Sequence, residues 1–139
     1  MVNFHLDESK AWALEAAELE RSYKEAKDKG VNPKAIVVIN PGNPTGSVLS
    51  KQNLQDVIKF AYEHNLAVLA DEVYQENIYK PEKPFISCKK VMFEMGSPYK
   101  DNVELISFHS VSKGYTGDCG LRGGYFEFLN IDPFAAEML

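Results

Sequence analysis

The residues with the clearest chemical potential lie in "SVSKGYTGDCGLRGGY" (residues 110–125), where one lysine stands among hydroxyl groups, glycines and an arginine. Lys113 follows Ser110 and Ser112, and Arg122 comes further downstream. Arginine and serine bind oxyanions through charge-assisted hydrogen bonds. The crowded glycines allow a backbone to approach a ligand closely. This stretch therefore predicts a binding site for a large anionic ligand.

Two other polar clusters also follow apolar runs. "NPGNPTG" (40–46) follows "AIVVI", and "DEVY" (71–74) follows "LAVLA", just as "SVSK" (110–113) follows "VELISFH". Singly, the clusters could be a rigid double turn, a helix cap and a helix start with a surface lysine. Ligands of open α/β sheets bind outside the carboxyl ends of the strands, so three clusters at three such ends favour one shared site.

Hydrophobic patterning supplies the elements that must position these clusters. Continuous β-branched runs are typical of strands buried on both faces, and Ser50 is suited to cap a helix. Strands that alternate with helices predict an α/β fold, a mainly parallel sheet with helices on both faces. The predicted strands cover residues 35–40, 66–71 and 103–110, and the predicted helices cover 16–29, 51–64 and 88–95.

Composition excludes several classes of function. The chain has 139 residues, enough for one domain, and its net charge of −5 argues against a nucleic-acid partner. No apolar run approaches the length of a membrane span, so no membrane partner is expected. Two cysteines do not make a disulfide scaffold and favour a reducing compartment, and no metal-ligand spacing is present.

The motifs "NPGNPTG", "ADEVY" and "SVSKGY…GLRGGY" resemble the marker segments of fold-type I, class I/II aminotransferases that depend on pyridoxal 5′-phosphate. Longer sequence segments, such as "FHSVSKGYTGDCGLRGGY", most resemble the alanine aminotransferase subgroup. The resemblance runs from about Asn3 to Ile131. It implies that residues 1–139 are a segment of the cofactor-binding large domain, without the substrate-binding small domain.

The resemblance also implies roles for the polar residues. Lys113 is expected to bind the cofactor aldehyde covalently and then to act as general base at the substrate α-carbon. An amine is nucleophilic only when neutral, so burial and nearby positive charge are expected around it. Asp71 is expected to keep the pyridine nitrogen protonated. Tyr74 and Asn43 are expected to share the cofactor's 3′ oxygen.

The same resemblance assigns the 5′-phosphate to Ser110, Ser112 and Arg122. It further implies that the Asn43–Pro44 peptide bond is cis, a form that only about 5–6% of X-Pro bonds adopt in folded proteins. No role transfers to two other residues of this stretch. Tyr115 is expected to pack, and Cys119 is expected to be a buried thiol.

By resemblance, the whole protein is expected to exchange amino groups between L-alanine and 2-oxoglutarate, as a homodimer, in the cytoplasm or the mitochondrial matrix. Parts of the phosphate cup, the residue that stacks on the cofactor ring and the arginine for the substrate carboxylate are expected outside this chain. The isolated chain is therefore expected to be inactive. The alternatives are another class I/II aminotransferase, an aminocyclopropane-carboxylate-synthase-like lyase, or a truncated, non-catalytic binding or dimerisation module.

Overall fold

The computed structural model describes residues 1–138, which form four strands, five α-helices and a short 3-10 turn. The predicted helices and the first two predicted strands are found within one residue of their predicted bounds. The strands are β1 (Ala35–Ile39), β2 (Ala67–Asp71), β3 (Leu105–Ser110) and β4 (Gly124–Leu129). The helices are α1 (Ala16–Asp28), α2 (Lys51–His64), α3 (Cys88–Met95), α4 (Tyr99–Asn102) and α5 (Pro133–Ala136).

The strands form one sheet in the order β1-β2-β3-β4. The first three are parallel, and β4 returns antiparallel to β3. The predicted mainly parallel α/β architecture is therefore confirmed. Strand β4 was not predicted. It pairs along the whole of β3, from Leu105 opposite Leu129 to Ser110 opposite Gly124.

One face of the sheet packs against the helices and forms the core. Alternate strand residues point into it, among them Ile36, Val38, Val68, Ala70 and Leu105. Helix α2 lies at the centre of the helical layer, in contact with α1, α3, α4 and β2. Its Ser50 N-cap forms a capping box with Asn53, as the sequence predicted for Ser50. The helix side chains at no more than 1% exposure include Leu54, Val57, Ile58, Val91 and Met92.

The opposite face of the sheet is open in the part of the chain that the structure describes, which corrects the expectation of strands buried on both faces. Val37 is 51% exposed and Ile39 42%, although their neighbours Ile36 and Val38 are buried. On β3 and β4 the same face carries the exposed Phe108, Phe126 and Phe128. Helices α1 to α4 share the other face, so a second helical layer is not found among residues 1–138.

The outer edge of the sheet beside β1 borders a groove of about 800 Å³. Apolar side chains such as Phe4 and Leu14 line it, and it extends to Asn43. None of the helices in residues 1–138 is both long enough and apolar enough to span a bilayer.

Candidate functional site

The three polar clusters lie side by side at the carboxyl edge of the parallel strands. Asn40, just beyond β1, donates its backbone N–H to the carbonyl of Asp71 at 3.0 Å. Glu72, just beyond β2, donates its N–H to the carbonyl of Phe108 at 3.2 Å. These backbone bonds extend the sheet past its regular ends. They align the beginnings of the first two clusters with the end of β3.

The "NPGNPTG" loop is held in shape by its own first residue. The Asn40 side chain is buried, and its Oδ1 accepts the Leu49 N–H at 2.9 Å. Within the loop, the Gly42 N–H bonds the Ser47 carbonyl at 2.8 Å. The Asn43–Pro44 bond is cis, as predicted. Asn40 was not identified as important from the sequence, because its role is visible only through the bond to Leu49.

The loop brings Asn43 to Tyr74, a residue 31 positions away. Asn43 Nδ2 donates to the Tyr74 hydroxyl at 3.3 Å. Because that hydroxyl accepts from Asn43, its own proton is left to donate to a third group. Asp71 lies at the end of β2, half-buried on the open face of the sheet, and its Oδ1 accepts the Val73 N–H at 3.3 Å.

The third cluster is organised around two hydroxyls and a guanidinium. Ser110 Oγ accepts the Ser112 N–H at 3.1 Å. An Arg122 terminal nitrogen donates to Ser112 Oγ at 3.4 Å and to the Cys119 carbonyl at 3.1 Å. The three residues predicted to bind the phosphate, Ser110, Ser112 and Arg122, are thus brought together in space. Its members are at the surface or only partly buried, so they can reach a ligand.

The loop that carries Lys113 touches the turn that carries Tyr74. Gly114, with a φ of 58°, has space for no side chain, since a Cβ there would lie 2.8 Å from the Val73 carbonyl oxygen. This contact sets how closely Lys113 approaches the Asp71–Tyr74 turn. No local pattern in the sequence indicates it, because the two residues lie on different loops.

Three expectations about the surroundings of Lys113 are corrected by the structure. Lys113 itself is exposed rather than buried. Tyr115 is 91% exposed and does not pack, and Cys119 is an exposed thiol. All three residues lie between β3 and β4, and β4 itself is largely exposed at the edge of the sheet.

The buried side chain of Glu72, in the Asp71–Tyr74 turn, reaches the backbone of the buried Cys88 at the start of α3. Glu72 Oε1 accepts the backbone N–H of Cys88 at 2.7 Å. Burial raises the pKa of the Glu72 carboxyl, with a smaller upward contribution from the charge of Glu127. Burial also raises the pKa of the Cys88 thiol to about 12, and the charge of Glu72 adds to this shift. Sequence reasoning missed both residues.

The donor set fits pyridoxal 5′-phosphate. Arg122, Ser110 and Ser112 offer one positive charge and two hydroxyls to a phosphate dianion. Asp71 offers a carboxylate to a ring N–H, and the Tyr74 hydroxyl offers a proton to a ring oxygen. Among residues 1–138, no three His, Cys, Asp or Glu side chains are grouped as metal ligands.

Comparisons with known proteins agree with this geometry. Residues 1–128 match the family described as aminotransferase class I and II. Alanine aminotransferase 1 of Bos taurus is 56% identical over 99% of this chain, which spans 28% of that protein. Glutamate–glyoxylate aminotransferase 1 of Arabidopsis thaliana is 53% identical over 99% of this chain, again 28% of that protein.

A solved structure, alanine aminotransferase from Pyrococcus furiosus, superposes with a TM-score of 0.75 at 25% identity. The superposition covers 96% of this chain and 30% of that one. The chain thus spans less than a third of the relatives that it matches. The match to residues 1–128, together with these relatives, shows that the chain belongs to the class I and II aminotransferase family.

Proposed function

We propose that the whole protein carrying this chain transfers an amino group from L-alanine to 2-oxoglutarate, giving pyruvate and L-glutamate, with pyridoxal 5′-phosphate as cofactor. The observation that carries the proposal is the grouping at one sheet edge of the Asn43–Tyr74 pair, Asp71 and the Ser112–Arg122 pair around the Lys113 loop. The alanine aminotransferase of Bos taurus, at 56% identity, supports the choice of substrate. Residues 1–139 act as a segment of the cofactor-binding large domain.

Pyridoxal 5′-phosphate supplies an aldehyde and an electron-accepting ring when bound. Several residues of this chain would hold that cofactor. Arg122 and the two serines hold the phosphate, which fixes the ring at the strand ends. The Asp71 carboxylate accepts the ring N–H and so keeps that nitrogen protonated. The Tyr74 hydroxyl, fixed by Asn43, donates to the ring oxygen.

Lys113 has two tasks in this proposal. Its amine would hold the cofactor by condensing with the aldehyde, with loss of water. With the substrate amine in that position, the freed amine of Lys113 would act as the base that moves a proton at the substrate α-carbon. Arginine cannot do this at neutral pH, because its side chain stays protonated.

Borohydride trapping tests the cofactor site. The chain and the whole protein are each incubated with pyridoxal 5′-phosphate and reduced, and the modified lysine is mapped by peptide mass spectrometry. We expect selective labelling of Lys113 in the whole protein and its loss in Lys113→Ala. Equal labelling of surface lysines in the wild-type whole protein and in Lys113→Ala would refute the cofactor site. If only the isolated chain labels at random, residues 1–139 need the rest of the protein to assemble the site.

A second candidate, transfer from L-glutamate to glyoxylate, is favoured by the Arabidopsis thaliana relative at 53% identity. Steady-state turnover of the whole protein with L-alanine or L-glutamate as donor and 2-oxoglutarate, pyruvate or glyoxylate as acceptor separates the two. A higher kcat/KM for glyoxylate than for 2-oxoglutarate would overturn the alanine proposal and leave the cofactor chemistry intact.

We also propose a homodimer of the whole protein, in the cytoplasm or the mitochondrial matrix. Cys88 and Cys119 are both free thiols, which suits a reducing compartment. Apolar side chains such as Tyr115 and Leu121, exposed within the Lys113 loop, support a subunit contact there. Sedimentation of the whole protein as a monomer would refute the dimer.

A further inference from the structure

Glu72 is a buried acid that the proposed chemistry does not use. Glu72 lies between Asp71 and Tyr74 in the sequence, but its side chain points into the helical layer. The residue is only 8% exposed. A buried carboxylate is costly unless it is hydrogen-bonded. Glu72 satisfies this requirement with one bond, 2.7 Å from its Oε1 to the backbone nitrogen of Cys88.

The partner of Glu72 is a rigid anchor. Cys88 is the first residue of α3, and its side chain is buried together with Val91 and Met92 of the same helix. The backbone N–H groups at a helix start lack partners within the helix and favour a negative charge. On the next residue, Lys89 Nζ bonds Glu127 of β4 at 2.5 Å, which ties the same turn of helix to the sheet.

The far side of the same turn contacts the Lys113 loop. The Val73 carbonyl follows Glu72 directly and lies against Gly114, where a Cβ would approach it to 2.8 Å. The turn also continues through a bond from the Gln75 N–H to the Glu72 carbonyl at 3.1 Å. The short segment is therefore fixed on one side by α3 and in contact on the other side with the residue after Lys113.

We propose that Glu72 is a positioning residue for the cofactor site: by bonding the start of α3 it holds the Asp71–Tyr74 turn against Gly114 and so sets the distances from Lys113 to Asp71 and Tyr74. This inference rests on the proposed function, because it takes those three residues as the cofactor's partners. Without the bond to Cys88, the turn loses its attachment to α3 and is left with backbone bonds such as that from Glu72 to Phe108, so it can shift relative to the Lys113 loop.

The test uses the whole protein and compares Glu72→Ala with Ser87→Ala. Ser87 caps the same helix by accepting the Lys90 N–H at 3.2 Å, so its loss weakens α3 without touching the turn. For Glu72→Ala we expect the dissociation constant of pyridoxal 5′-phosphate to rise about tenfold or more, since small displacements of reacting groups have large effects. The pH midpoint of the bound cofactor's absorbance change should also move. Ser87→Ala should lower the Tm and leave both quantities unchanged.

Two further variants keep the test decisive. Glu72→Gln retains an oxygen that accepts the Cys88 N–H, so it should recover most of the lost affinity. If Glu72→Ala does not fold, Glu72→Asp replaces it, since its carboxylate is one methylene too short to reach α3 without moving the turn. A Glu72 variant with a lowered Tm but the wild-type dissociation constant and pH midpoint would overturn the proposal.

Different results would refute the cofactor site and the positioning role of Glu72. If borohydride does not label Lys113 in the wild-type protein, the cofactor site itself is wrong, and the role of Glu72 falls with it. If Lys113 labels in the wild type and the Glu72 variants bind the cofactor equally well, only the positioning role is refuted.

Discussion

The two faces of the sheet are built from the same strands but differ in burial: one is covered by helices, and the other is open. The helix-covered face buries the side chains that stabilise the fold, such as Val68 and Leu105. The open face carries Asp71 and Ser110 at its carboxyl edge and leads into the exposed Lys113 loop. The side chains that stabilise the core and those of the proposed cofactor site are therefore largely separated by the pleat of the strands, which sends alternate residues to opposite faces. Substitutions on the two faces should have correspondingly different effects.

The largest contrast is expected between the two thiols. Cys88 is buried under the helical layer with a pKa raised to about 12, whereas Cys119 is exposed on the Lys113 loop. Because the thiolate is the reactive form, iodoacetamide at pH 8 should modify Cys119 at least about a thousandfold faster than Cys88. Mass spectrometry of timed samples measures both rates. In urea the two rates should converge, and comparable rates in the native chain would contradict the difference in burial.

The second contrast compares two isoleucines. Ile58 of α2 is fully buried, and Ile39 of β1 lies on the open face. Ile58→Ala should lower the free energy of unfolding by about 3 kcal/mol, the usual effect of a large core truncation. Ile39→Ala should lower it by about 1 kcal/mol, since less apolar surface is lost. Urea unfolding of the chain measures both, and equal losses would show that the open face is covered in solution.

The smallest contrast tests the contact between Gly114 of the Lys113 loop and Val73 of the Asp71–Tyr74 turn. Gly114 and Gly117 share a φ of 58°, but only Gly114 has a neighbour, the Val73 carbonyl, in the position of a Cβ. Gly114→Ala should destabilise by about 1 kcal/mol more than Gly117→Ala, because the carbonyl must shift in addition to the backbone strain. Urea unfolding provides the comparison. Equal losses would mean that the Val73 contact is loose.

Much of the fold could be predicted from the sequence, because each element carries its own signal. Ser50 marked the start of α2, and the β-branched runs marked β1 and β2. Strand β4 was missed since it begins at Gly124, directly after a glycine-rich loop, and pairs antiparallel with a strand it does not follow closely. Tyr125, Phe126 and Phe128 are of residue types enriched in strands, but the pairing of β4 with β3 is a tertiary feature.

The structure brings residues that the motifs named to one edge of the sheet, but the contacts that support them were not predicted. The motifs named Lys113 and its proposed partners, because the chemistry restricts residue types at those positions. They did not indicate Glu72, or the closeness of Val73 to Gly114, which depend on how α3 and the turn meet in space. The exposure of Lys113 was also unpredictable, since it depends on what covers the open face.

The antiparallel return of β4 closes the Lys113 segment into a ring. Ser110 and Gly124 are paired across the strands, and the Val111 N–H bonds the Gly123 carbonyl at 3.2 Å. The entry and exit of the segment are therefore fixed before any ligand arrives, and the entropy of bringing its ends together is lost on folding rather than on binding. Under the proposed function, an anion bound by residues 112–122 would meet a segment whose two ends are already held.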